Sequence, residues 1–266
     1  MTHRLALPAK IHPAVIAVWA AVVAAAHIIP TIPIMGTGMS FSFATVLGPL
    51  SGILFGPIAG ALCSAAGGFI GSLVAPHTGW LGMGTFIIGT TTAFTTGCAA
   101  WGIWPPVTLN SRGSLVVSGG IIVYLIGTLL WFSQEIGRSL AIYPIVYYGM
   151  GFAAFLVASA FAGRVLTGKD TTLKLLLIWL CAFGGMIGGA TVGNFFMLIL
   201  TEHPREFWIP LIVLSPIERA VFSSGTALIG VPLLVGLHKI GIFVGPQLEN
   251  DDTGPEPPVP DVYVQD

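Results

Sequence analysis

Eight stretches of this chain, near residues 11–34, 41–55, 57–76, 82–104, 114–133, 140–166, 172–201 and 208–240, are continuously apolar, and only short segments rich in Gly, Pro, Asn or charge separate them. Few folds can absorb that much unbroken hydrophobicity. Of 266 residues, 55% are hydrophobic and 8% are charged, whereas about a quarter of a soluble domain is charged. A water-soluble globule is therefore excluded. A membrane-spanning helix needs about 20 apolar residues, so the sequence predicts an all-α, polytopic transmembrane bundle of about eight spans. Barrel strands would alternate in segments of about ten residues, and these runs do not.

Charge sets the orientation and removes several function classes. A net charge of -1 leaves no basic stripe for nucleic acid. With the N-terminus inside, Arg4, Lys10, Arg112, Arg164, Lys169, Lys174 and Lys239 fall on the cytoplasmic side. Only Arg138 and Arg205 fall outside, a bias of seven to two that follows the positive-inside rule. Both termini are thus expected in the cytoplasm of a multi-pass cell-membrane protein, with the lipid bilayer as its surroundings. The transmembrane domain is expected over residues 1–244. The remainder, 245–266, is acidic and Pro-rich and reads as a disordered tail. Ala24-Ala25-Ala26 could end a signal peptide, but the apolar stretch continues through Ile28, Ile29 and Ile32, which suits an uncleaved span.

Cys63, Cys98 and Cys181 are odd in number and lie far apart inside apolar runs, so no disulfide framework and no zinc site is expected. The chain contains no HExxH, no G-x-S-x-G and no catalytic pair of carboxylates. Neither an enzyme nor a cofactor is predicted. Residues 163–171, GRVLTGKDT, come close to a phosphate loop. Asp170 stands where that loop needs a hydroxyl, and the segment joins two apolar runs where the motif needs a strand leading into a helix. ATP hydrolysis, if used, belongs to another chain.

The most distinctive stretch repeats GPxxGxL, at Gly48-Pro49-Leu50-Ser51-Gly52-Ile53-Leu54 and at Gly56-Pro57-Ile58-Ala59-Gly60-Ala61-Leu62. Gly48-Pro49 interrupts the short second run, and Gly56-Pro57 is expected to turn it tightly into the third. Small residues continue at Ser64, Gly68 and Ser72, and again at Gly185, Gly189 and Gly193, a spacing that lets helix backbones approach closely. A first span with AxxxA spacing, a Gly-rich outer loop, then a short helix joined to the next by LFGPxxGAL, resembles the substrate-binding (S) subunit of energy-coupling-factor transporters. The likeness covers roughly residues 11–105. It implies a small helical protein that captures a vitamin-like small molecule from outside and docks on a transmembrane coupling subunit bearing two ATPases. Ala17 and Ala21 would then touch the partner subunit. The loop 35–40, with Gly36 and Gly38 as its hinge, would close over substrate. The chain has two apolar runs more than the family's usual six helices.

Ionisable residues inside a bilayer are functional candidates by default. Glu218 and Arg219 lie ten and eleven residues past Trp208, near the membrane midplane at about 1.5 Å per residue. Pro216 is expected to break that span, and neighbours about 100° apart cannot neutralise each other fully, so one of the two should face a cavity or a partner helix. Trp80, Thr85 and Asn194 are the further substrate-binding candidates. Tyr143, Tyr147 and Tyr148 could line the same pocket or anchor the interface. His27, His77 and His203 share one membrane side, yet no metal-ligand spacing links them, and no metal is predicted. An echo between 62–90 and 180–226 keeps a second reading open, an autonomous secondary transporter or channel of two four-helix halves. A membrane scaffold is the third.

Overall fold

The computed structural model describes residues 5–6, 13–34, 38–79, 81–102, 112–201, 203–240, 242 and 244–248. Gly36, Trp80 and the tail from residue 249 onward lie outside the described residues. The helices are α1 (Pro13–Ala26), α2 (Ala44–Phe55), α3 (Pro57–Val74), α4 (Phe86–Trp101), α5 (Arg112–Ser133), α6 (Glu135–Ser139), α7 (Gly149–Leu166), α8 (Thr171–Leu200) and α9 (Arg205–Lys239). Five segments, in α3, α5, α7 with the turn before it, α8 and α9, are long and apolar enough to cross a membrane. The fold is an all-α bundle with the character of a multi-pass membrane protein.

The distribution of side chains supports that character. Leu115, Ile58, Leu129, Val18 and Leu62 are 65–74% exposed, a surface that water would not tolerate but lipid does. The interior is built instead from small residues. On α3 the buried positions are Gly60, Cys63, Ser64, Gly67, Gly68, Gly71 and Ser72, and on α8, the central helix, Gly184, Gly185, Gly188, Gly189 and Gly193. A Cβ on Gly185 would strike Thr96, one on Gly188 Thr95, one on Gly189 Thr92 and one on Gly193 Ile88. Those partners step backward along α4, so α4 and α8 are antiparallel at close approach. Replacing Gly185 by Val is expected to destabilise the bundle by about 1–3 kcal/mol through overpacking, read as a lower thermal midpoint in detergent.

The same contacts give every helix a direction. Cys63 meets Ile16, while Gly67 meets Ala20 and Gly71 meets His27, so α1 and α3 run parallel and α2 returns between them. Gly97 lies on Pro57 and Gly68 on Phe86, making α4 antiparallel to α3. Gly102 faces Val117 and Gly120 faces Cys98, which reverses α5 against α4. Gly184 faces Phe155 and Gly151 faces Ile187, reversing α8 against α7. Gly230 faces Ile178 and Ser223 meets Met186, reversing α9 against α8. Directions therefore alternate along the chain, and the start of α1 and the end of α9 share one end of the bundle.

Several local expectations are revised by the structure. The first apolar run is not one helix to residue 34: α1 stops at Ala26, and β2 (Pro30–Pro33) pairs antiparallel with β3 (Ser40–Ser42), because Pro30 and Pro33 cannot continue a helix. Gly38 lies in this hairpin at φ 69°, which a side chain would strain. Pro49 does not interrupt α2 but sits inside it. Gly56, at φ 83° with Pro57 opening α3, does make the tight turn. Pro216 does not break α9, which is continuous across Pro210, Pro216 and Pro232; each Pro forfeits one backbone bond, and packing on α8 and α2 holds the rest. The phosphate-loop look-alike joins the end of α7 to the start of α8, with the Asp170 carboxylate accepting from Thr172 N at 2.9 Å and Leu173 N at 3.1 Å. Asp170→Ala is expected to cost about 1 kcal/mol as a lost N-cap, with no nucleotide-dependent shift in melting in either protein. Over residues 245–248 the chain is still tied to the bundle: Gly245 N–H bonds Leu54 O at 2.9 Å, and β4 (Gln247–Leu248) pairs with β1 (Leu5–Ala6).

Candidate ligand-binding cavity

A cavity of about 100 Å³ lies at the end of the bundle opposite the paired strands β1 and β4. There α1, α3 and α8 finish and α2, α4 and α9 begin. The space exists because its walls lack side chains: Gly48 on α2, Gly68 on α3, Gly89 on α4 and Gly193 on α8 all line it. Phe41 and Ser42 of the hairpin close it on one side.

Its charged group is Arg219, which lines the cavity, whereas Glu218 is not among the lining residues. The guanidinium carbon stands 4.7 Å from the centre of the Phe41 ring, and Nε donates to the Tyr147 hydroxyl at 3.4 Å. Glu218 is buried, at 9% exposure, and close enough to feel the arginine's charge. Among the described residues Arg219 forms no ion pair with it or with any other carboxylate. The pair expected near the membrane midplane is thus split, with the cation turned into the cavity.

Asn194 also lines the cavity. Its Nδ2 donates to the Tyr143 hydroxyl at 3.0 Å and to the Tyr148 hydroxyl at 3.2 Å, which leaves Oδ1 for a ligand. One nitrogen reaches both tyrosines because Pro144–Tyr148 is a π-helical turn, with Gly149 N–H bonded back to Pro144 O. Bonding at i→i+5 brings positions 143 and 148 to one side, where an α-helix would splay them. The three tyrosines do not line the cavity as the sequence suggested. They are buried behind it in an aromatic cluster, with Tyr143 stacked on Trp131 at 4.7 Å and Trp208 edge-on to Trp131 at 5.0 Å, and they hold Asn194 and Arg219 from the rear.

Thr85 lines the cavity and its hydroxyl accepts from Leu81 N–H at 3.0 Å, so it also fixes the loop ahead of α4. Gly38 belongs to the hairpin but not to the lining. Ala17 and Ala21 are exposed on α1, away from the cavity. Sequence reasoning missed Ser42, Thr45, Ser64 and Phe41, all lining residues; only Ser64 carried a signal, as a member of the small-residue ladder. His27 lines the cavity too, with Nδ1 on Val23 O at 2.9 Å. It does not gather with the other two histidines: His77 is exposed and His203 stacks on Phe207. Among the described residues no group of three or more His, Cys, Asp or Glu stands together to hold a metal.

The arrangement can enclose a compact molecule between apolar walls, hydroxyls and one cation, as small-molecule sites do. No protein-family model, curated protein or solved structure matches the chain.

Proposed function

We propose that the chain is a substrate-capture subunit of an importer of the energy-coupling-factor type, binding a vitamin-like small molecule in the cavity beneath the hairpin and relying on a partner coupling subunit with ATPases. The observation that carries this reading is the cavity's position. It opens at the end of the bundle bearing Arg138 and Arg205, while Arg112, Arg164, Lys169, Lys174 and Lys239 sit at the other. By the positive-inside rule the cavity then faces out, which is where a capture protein meets its ligand. The hairpin over it occupies the place of the outer loop that the resemblance assigns to closure.

This reading carries eight spans with both ends cytoplasmic. A cysteine-accessibility scan should find residue 37 reactive from outside and residue 169 only from inside; the reverse at either position overturns the topology. The function itself is tested by purification from native membranes, where an ATPase pair should accompany the protein. Uptake driven by an ion gradient in vesicles holding the purified chain alone would instead establish a secondary transporter.

A further inference from the structure

We infer that the cavity selects a ligand bearing a carboxylate, received by Arg219 with the hydroxyls of Ser42 and Ser64 lining the same space; this rests on the reading that the cavity is the substrate site. A guanidinium enclosed in apolar walls is costly unless an anion accompanies it. Here its companions are a tyrosine hydroxyl and the face of Phe41, and neither carries the opposing charge. Glu218 is turned about 100° away along the helix and lines no part of the cavity, so it leaves the arginine's outer face open. The five N–H donors of arginine form a planar fork that fits a carboxylate with two parallel hydrogen bonds.

The second observation is independent of the charge. Ser42 and Ser64 are 5% and 2% exposed and both line the cavity; among the described residues the side-chain atoms sealed away without a partner are His203 Nε2 and Trp208 Nε1, so the space these two hydroxyls reach is the cavity itself. Hydroxyl donors that line the same small space as a cation suit anionic oxygen. A cationic ligand would meet Arg219 with like charge, and a neutral one would leave its N–H fork without an ion-pair partner. Phe41 gives binding a consequence. The arginine touches the hairpin through that ring, so an anion fixed on the guanidinium also fixes the strand that covers the cavity.

The test uses the purified full chain in detergent and matched probes: benzoate against benzamide, nicotinate against nicotinamide, and hexanoate against hexanamide. At least one acid should raise the thermal midpoint while its amide does not, with an apparent affinity at least about tenfold tighter for the acid. Arg219→Gln should erase that preference, and Arg219→Lys should retain part of it, the charge surviving without the fork. Ser64→Ala should weaken acid binding about threefold or more, which gives a second readout if Arg219→Gln does not fold. Equal binding of acid and amide, unchanged preference in Arg219→Gln, or no stabilisation by any acid overturns the inference. A protein that selects acids but never copurifies with ATPases keeps this inference and removes the capture-subunit reading. One that copurifies and prefers amides does the opposite.

Discussion

Truncating Trp131 to Ala is expected to destabilise the protein by about 3–5 kcal/mol, the range for removing a fully buried large aromatic side chain. Trp131 has no exposed surface and stands at the centre of the cluster behind the cavity. Its ring stacks on Tyr143 at 4.7 Å with planes 17° apart, meets Trp208 edge-on at 5.0 Å and reaches Tyr148 at 6.1 Å. Its Nε1 donates to Gly137 O at 3.0 Å, which ties the end of α5 to the short helix α6. Removing the ring leaves a void that these rigid neighbours cannot fill, and aromatic contacts worth about 0.5–1.5 kcal/mol per pair vanish with it. Tyr143 and Tyr148 then lose the wall that presents their hydroxyls to Asn194, so the cavity should loosen along with the fold. A large drop in thermal midpoint in detergent is the expected readout. Trp131→Phe, which keeps a ring and loses the N–H, should fall between variant and wild type. A midpoint for Trp131→Ala within a degree or two of wild type would mean that the cluster does not hold this end of the bundle.

Replacing Ala17 or Ala21 by Leu should abolish recovery of the partner subunits while leaving the isolated chain as stable as before. The two alanines are exposed and share a face of α1 with Val18, Val22 and Ala25, also exposed. The opposite face carries Ala20 and Val23, which pack on α3 at Gly67. A leucine at 17 or 21 therefore meets no part of its own bundle, and the lipid accepts it. Against a second helix the same side chain holds two backbones apart and removes the close contact that small residues permit. The separation of effects is the point of the experiment: complex lost, thermal midpoint and ligand stabilisation retained. Normal assembly of both variants would reject this surface, and a loss of folding would place the alanines inside the bundle.

The proline and glycine positions show how far the sequence could be read. Gly56-Pro57 announced its turn, because a left-handed residue followed by a proline at a helix start has few other uses. Pro30 and Pro33 were just as visible, yet hydropathy alone merged them into a first span. Apolar composition does not distinguish a helix from a strand laid over a cavity mouth. Pro216 misled in the other direction, since a proline inside a long, well-packed helix forfeits one hydrogen bond and need not end it.

Composition and periodicity by themselves determined that this chain is a helical membrane bundle, where most of its helices lie and which residues are too costly to bury without purpose. These properties are local, set by the preference of each segment for lipid and by its own backbone bonding. Tertiary structure alone decided which of Glu218 and Arg219 turns inward, and that a π-turn lets one asparagine reach two tyrosines. It also decided that Phe41 and Ser42, Ser64, Asn194 and Arg219 meet around one space. Those side chains come from three helices and a hairpin, spread from residue 41 to residue 219. Their meeting depends on helix rotation and on approaches that glycine permits, and no single segment encodes either.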